Sequence, residues 1–352
     1  MKVLVTGGGG FIGSHIVDAL VDEGIDTVSV DVFSPAAHLR PPVYLNPAAD
    51  HRRVSMTDLG SLMRALDGVD AVCHQAARVG LGVDFDDVVD YVDDNSSGTA
   101  TLLKALHRLG FAGRFVQASS MVVYGEGAYT CDDHGGVAPA ARRETDLEVG
   151  VFEPTCPACG HALTPALVTE EAILDPRNVY AATKVNQEHL SWCFARTSGA
   201  DVVNLRYHNV YGPRMPRDTP YAGVASIVRS ALEAKRPPRV FEDGGQRRDF
   251  VHVTDVARAN VLALTTNGPI AGAYNIASGR PCTIAQMASL VAEGFGADAP
   301  PPIVTSEYRL GDVRHITASP ARAREVFGVA ARVPFEVGLR EFATTPMRES
   351  VT

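Results

Sequence analysis

The chain has 352 residues, 45% hydrophobic and 21% charged, the composition of an ordinary soluble globular protein with room for one large or two interleaved domains. A net charge of −9 argues against a non-specific nucleic-acid binder and against attraction to an anionic membrane surface, though a local group of arginines could still hold an anionic ligand. No apolar run suits a secretion signal or a membrane span, so the expected location is cytoplasmic, where the six cysteines are not expected to build a disulfide framework.

Lys2-Val3-Leu4-Val5 is short and aliphatic and reads as a buried parallel strand. Thr6-Gly7-Gly8-Gly9-Gly10-Phe11-Ile12-Gly13 follows, then a helical pattern with Ile16, Ala19, Leu20 and Val21. Strand, glycine turn and helix in this order point to a dinucleotide. Gly7 permits the tight turn, Gly10 lets the backbone approach a pyrophosphate, and Gly13 lets the helix pack close to the strand. Phe11 and Ile12, within the glycine stretch, are expected to bind the cofactor with it, and the N-terminus of the following helix faces the phosphates with its free N–H groups. The second strand, 27–30, ends in Asp31, placed to accept the ribose 2′-hydroxyl. Its carboxylate would repel a 2′-phosphate, so NAD is favoured over NADP; the alternative is a solvated strand-end Asp.

After a third short strand, Asp58 either reaches the adenine amino group or caps the next helix. Residues 71–77 form a fourth strand that runs into small residues, where Ala76 would let the backbone pass close to the cofactor; Cys73 reads as core. Asn95 begins a helical pattern through Leu102, Leu103 and Leu106, and either binds backbone near the cofactor or caps. The strand at 114–118 leads into Ser119-Ser120, at the carboxyl end of a parallel sheet, where ligands are held. Tyr180 and Lys184 are four apart and share one helix face. An ammonium near a phenol favours the phenolate, so this pair can exchange a proton with a substrate hydroxyl; by itself, the spacing is also that of a plain surface helix.

Taken together, these pieces resemble the extended short-chain dehydrogenase/reductase family of nucleotide-sugar epimerases and dehydratases. The likeness rests on Thr-Gly-x-x-Gly-x-x-Gly at 6–13, Asp31, the Asp58 turn, His74-Gln75-Ala76-Ala77, Asn95-x-x-Gly-Thr, Ser119-Ser120-x-x-Val-Tyr-Gly and Tyr180-x-x-x-Lys184. It continues through Arg206-Tyr207-His208-Asn209-Val210-Tyr211-Gly212-Pro213, Arg248-Asp249-Phe250-Val251-His252-Val253 and Arg309-x-Gly311-Asp312, and so covers about 1–315. It implies an α/β fold, a Rossmann-type doubly wound parallel sheet with a smaller α/β substrate domain. Residues 1–204, with an insert at 126–170 and a return at 249–266, would bind NAD; residues 205–248 and 267–346 would bind a nucleotide sugar. It further implies Tyr180 as general acid/base, Lys184 as its electrostatic partner and ribose anchor, and Ser120 as the hydroxyl that orients the sugar. Gly7, Gly10, Gly13, Asp31, Asp58, Ala76 and Asn95 would hold NAD. Asn209, Arg248 and Arg309 would grip the substrate diphosphate, with Val240 and Phe241 against the base; the alternative for the arginines is ion pairing with Asp249 or Asp312. A homodimer through the helices after Asn95 and Tyr180 is also implied.

In the family's dehydratases and decarboxylases, acidic residues follow the serine position. Here Met121 and Val122 stand there and cannot transfer protons. The resemblance therefore implies a 4-epimerase: transient oxidation at C4, rotation of the 4-keto sugar and re-reduction. A dehydratase or decarboxylase with displaced acids is the alternative within the family, and a non-catalytic NAD-sensing protein the alternative outside it.

Gly125 to Tyr180 is more than twice the usual length in the family. This insert looks like that of bacterial dTDP-L-rhamnose 4-epimerase-type sequences, which puts a dTDP-6-deoxyhexose first among substrates and UDP-hexoses or UDP-uronates next. It carries Cys131-x-x-His134 and Cys156-x-x-Cys159, four ligands at spacings that suit one tetrahedral structural zinc. A reversible Cys156–Cys159 disulfide or free thiols are the alternatives. The insert's place in the chain suggests a lid over the active site.

Overall fold

The computed structural model describes residues 1–35, 37–38, 40, 42–80, 85–217 and 223–348. Seven parallel strands form the central sheet, in the spatial order Gly272–Ile276, Asp201–Tyr207, Arg114–Ser120, Ala71–His74, Lys2–Thr6, Asp26–Asp31, Asp50–Arg53. The direction of winding reverses between Lys2–Thr6 and its neighbour Ala71–His74, and a crevice opens at the strand carboxyl ends there.

Side-chain alternation along Lys2–Thr6 divides the core between the two faces. Val3 and Val5 pack with helices Phe11–Asp22 and Val253–Thr265, whereas Leu4 joins Val28 and Val30 on the opposite face. That second face is covered by helices Leu59–Ala65, Gly98–Arg108 and Val179–Ser198. The last of these starts at Asn178, whose side chain accepts from the Ala181 N–H at 2.8 Å, and stops at Gly199 in the left-handed region. No helix among the described residues is long and apolar enough to cross a membrane.

A smaller unit gathers helices Val224–Glu233, Ile284–Phe295 and Phe335–Phe342 around Tyr211, Phe250 and Met287. The sequence also predicts a helix at 221–234, of which residues 221–222 lie outside the described ones. One domain boundary needs correction. The strand Gly272–Ile276 was expected in the substrate domain from 267 onward, yet it hydrogen-bonds along Asp201–Tyr207 as the seventh strand of the central sheet. The aliphatic and aromatic pattern of a short buried strand does not reveal its partner. The insert also departs from its expected placement. Its three-stranded sheet, with Ala128–Cys131 between Gly135–Val137 and Thr164–Ala166, is bonded onto residues 312–319 rather than to the nucleotide-binding unit alone.

Candidate active site

A cavity of about 700 Å³ follows the crevice, within the size range of small-molecule sites. Gly7, Gly10, Phe11, Ile12 and Gly13 line it together with Asp31, Ala76, Ser120, Tyr180 and Lys184. The glycines are dictated by contact. Gly7 has φ of +66°, and a Cβ there would stand 2.8 Å from the Ala76 nitrogen. A Cβ on Gly13 would stand 2.1 Å from the Gly7 carbonyl oxygen, so any side chain would push the helix off the strand. The Asp31 carboxylate accepts from the Gly9 N–H at 3.0 Å and the Phe33 N–H at 2.8 Å, which fixes the glycine loop and leaves acceptor capacity toward the cavity. A helix N-terminus, a run of glycines and an acidic residue at the end of the next strand are the features an NAD requires, and they line one cavity.

Two further expected cofactor residues lie off the cavity wall. Asp58 is the N-cap of Leu59–Ala65, accepting from the Ser61 N–H at 3.1 Å, which is the capping role expected as one of its two readings. For Asn95 the cap is the reading that fails. Residues 88–108 form one helical run with a widened turn at Val92–Ser97, so Asn95 has no helix start to cap. Its fully buried amide instead accepts from the Arg78 N–H at 2.7 Å, donates to the Arg78 carbonyl at 3.0 Å and donates to Thr183 at 2.9 Å. It thereby ties the loop that lines the cavity to the helix that carries Tyr180.

Ser120, at the end of its strand, stands beside Tyr180, in the first turn of Val179–Ser198. Burial pushes the Tyr180 phenol up to about 12, and the Ser120 hydroxyl offsets only part of that rise. The Lys184 ammonium, expected to favour the phenolate, does not bond the phenol in the chain alone. The Lys184 Nζ donates to the Ala118 carbonyl at 3.0 Å and stands 5.8 Å from the Tyr180 ring centre, and burial lowers the ammonium itself to about 8. Four-residue spacing puts two side chains on one face but does not say where the longer one ends.

Asn209 lines the cavity with its side-chain oxygen unpartnered. The sequence reading passed over its neighbour His208, which is buried on the same wall with neither ring nitrogen bonded and whose imidazole is held neutral by that burial. The other expected substrate contacts, Val240, Phe241, Arg248 and Arg309, do not line this cavity. Arg309 lies over the Phe241 ring at 5.1 Å, and Val240 is buried in the strand Arg239–Val240. Arg248 does not pair with Asp249 or Asp312 through a hydrogen bond. Its guanidinium donates to the carbonyls of Val313 at 2.6 Å and Arg314 at 2.9 Å. Asp249 accepts instead from the Ser278 and Gly279 N–H groups at 2.7 and 2.8 Å.

The sequence pattern of the NAD dependent epimerase/dehydratase family matches residues 3–277. The chain belongs to that family. It is 31% identical to the dTDP-L-rhamnose 4-epimerase of Burkholderia thailandensis over 97% of this chain and 94% of that protein. Among solved structures, it resembles the UDP-glucose 4-epimerase of Thermotoga maritima with UDP-glucose, with a TM-score of 0.78, 30% identity and 97% of each chain covered. The Thermus thermophilus UDP-glucose 4-epimerase complex with NAD gives a TM-score of 0.75 at 28% identity, covering 97% of this chain and 98% of that one.

Within this member of the NAD dependent epimerase/dehydratase family, the insert carries the Cys/His set. The structure brings all four expected ligands together, with Cys131 Sγ 3.5 Å from His134 Nδ1 and 3.6 Å from Cys159 Sγ, and Cys156 Sγ 3.7 Å from His134 Nδ1. A tetrahedron with bonds of about 2.3 Å to sulfur and about 2.0 Å to nitrogen has edges of roughly 3.5–3.8 Å. All six cysteines are free thiols in this structure. Main-chain N–H groups of Cys159 and Ala158 point at the Cys156 sulfur and draw its thiol down to about 6. The lid expectation fares differently, because no described insert residue, 126–170, lines the cavity.

Proposed function

We propose that this protein is an NAD-dependent nucleotide-sugar 4-epimerase, with a dTDP-6-deoxyhexose as first candidate substrate and UDP-hexoses or UDP-uronates behind it. One observation carries the choice of reaction. Ser120 and Tyr180 face the cavity, while its only carboxylates among the described residues are Asp31, bonded to the glycine loop, and Asp94, paired with Arg78 at 2.9 Å. Elimination of water or carbon dioxide would require an acid or base besides Tyr180, and the positions after Ser120 hold Met121 and Val122. Epimerisation requires only one proton exchanged at a single oxygen.

In this reading Tyr180 takes the proton of the C4 hydroxyl and returns it, and Ser120 orients that oxygen. Lys184 holds the strand end at Ala118 and contributes its charge beside the phenol. NAD supplies the hydride acceptor and donor at C4, and positive charge beside Tyr180. The unpartnered groups of His208 and Asn209 offer hydrogen bonds to a polar ligand turning in the cavity. Incubation with dTDP-L-rhamnose, UDP-glucose and UDP-glucuronate tests the proposal. At least one should give a product of unchanged mass and inverted C4 configuration by NMR. A product lighter by water or carbon dioxide would replace the reading with a dehydratase or decarboxylase, and no conversion at all would favour a non-catalytic NAD-binding role.

The reading includes one structural zinc on Cys131, His134, Cys156 and Cys159, supported by the near-tetrahedral spacing of the four ligand atoms. Elemental analysis of purified protein should find about one zinc per chain; fully active metal-free protein would remove it. It also includes a cytoplasmic homodimer. Exposed Phe85, Val89 and Val92 lie along one stretch beside the helices expected at the interface, and a monomer mass in sedimentation would withdraw that element.

A further inference from the structure

We infer that the Cys/His insert is a clasp that positions the loop 309–316 and, through it, the groups placed to grip the nucleotide diphosphate of the substrate. The inference rests on the zinc reading above and on the residues that join insert to loop.

The insert by itself has little to hold it in shape. Its core is Tyr129, Cys131, Cys156 and Leu163, with Val137 packed alongside, far too small to be stable without a cross-link. A metal on Cys131 and Cys156 would lock the two segments of that core together. Each segment then reaches the loop. Tyr129, two residues before Cys131, accepts from the His315 N–H through its hydroxyl at 3.2 Å. Glu153, three residues before Cys156, accepts from Arg314 Nε at 2.9 Å and Nη2 at 2.6 Å, and its other oxygen meets His315 Nε2 at 2.8 Å. Between them in sequence, Arg142 donates to Glu242 at 2.8 Å and to the Asp312 carbonyl at 2.5 Å.

The loop side of these contacts carries the residues to which the family resemblance gives the nucleotide diphosphate and base. Arg314 is buried and also binds Glu242 at 2.7 Å, next in the chain to Phe241, over whose ring Arg309 lies. The carbonyls of Val313 and Arg314 fix the Arg248 guanidinium. Phe241, Arg248 and Arg309 are therefore each joined to the insert through one intermediary residue or short loop segment. An arginine fork already aimed loses less freedom on binding a diphosphate than one that must be ordered by it. The insert thus acts on substrate affinity from outside the cavity, as a support for the loop rather than a cover for the entrance.

Glu153 is the positioning residue to change, because its half-exposed side chain tolerates Gln and it is not one of the four ligands. Binding of dTDP and of UDP is measured by calorimetry on the NAD-loaded wild-type protein, on Glu153→Gln, and on wild-type protein stripped of metal by a chelator, with zinc counted in each. Glu153→Gln should keep its zinc and its NAD yet bind the tighter of the two nucleotides ~10-fold more weakly, and the stripped protein should lose at least as much. Unchanged affinity in Glu153→Gln with zinc retained would overturn the clasp and leave the zinc reading standing. Unchanged affinity after stripping would show that the metal does not act through the loop, and wild-type protein without zinc would overturn both. Because the readout is nucleotide binding, failure of the epimerase assay would leave this test intact.

Discussion

Tyr180→Phe is expected to lower kcat for sugar interconversion by roughly 10³-fold or more, at the upper part of the range for losing a general acid/base, with NAD content and dTDP or UDP affinity unchanged. The substitution removes one oxygen from a half-buried ring and leaves the helix cap at Asn178, the Lys184–Ala118 bond and the glycine loop in place. The position of the phenol's pKa makes the result informative. Burial holds it near 12 in the chain alone, and Lys184 reaches away to a carbonyl, so at neutral pH the proton stays on oxygen unless further positive charge enters the cavity. Ultraviolet titration of tyrosinate should therefore show an apparent pKa lower with oxidised NAD bound than without it, and the Phe variant should lose that component. Turnover within tenfold of wild type in Tyr180→Phe would end the proposed mechanism.

Glu188→Ala is expected to cost about 3–5 kcal/mol of stability, the penalty for leaving one partner of a buried ion pair alone. Glu188 lies one turn beyond Lys184 on the same helix, and its carboxylate meets Arg206 of the central sheet at 2.8 and 2.9 Å, with 1% and 5% of the two side chains exposed. Ser119, next to Ser120, donates its hydroxyl to the same carboxylate, and Arg206 also donates to the Tyr124 hydroxyl at 2.9 Å. The pair and Ser119 thus bolt the helix that carries Tyr180 to the strand that ends in Ser120 and to the strand Asp201–Tyr207, which leads to Asn209. Urea unfolding followed by circular dichroism measures the cost. The double variant Glu188→Leu, Arg206→Met should recover most of it, because it removes both charges and leaves none stranded. A single variant with an unshifted midpoint would mean that water reaches the pair.

The cofactor half of the site was legible from local sequence because its parts are short and contiguous. Gly7 to Gly13 must be glycine wherever chain passes that close, and Asp31 follows at the end of the next strand; such constraints act over a few residues and leave a pattern. The Cys131, His134, Cys156 and Cys159 set was legible for the same reason, since two-residue spacings bring each pair of ligands together by a tight turn. Asp58 and Asn95 show the limit. Both carry side chains that cap helices or bind backbone, and only the course of the chain around them decides which. His208 left no signal because its unmet hydrogen-bonding capacity depends on what fails to surround it.

By its sequence alone this protein is a parallel α/β NAD-binding chain with a Ser, Tyr and Lys set and a metal-like knuckle, because those features rest on local spacing and periodicity. Only the tertiary structure decided that Gly272–Ile276 closes the central sheet, that Lys184 spends its donor on Ala118, and that the insert is fastened to residues 312–319 and stands clear of the cavity. Each of these is a contact between residues far apart in the chain. A partner 66 to 186 positions away is selected by burial and by the need to satisfy every buried polar group, and a single sequence carries no spacing that records it.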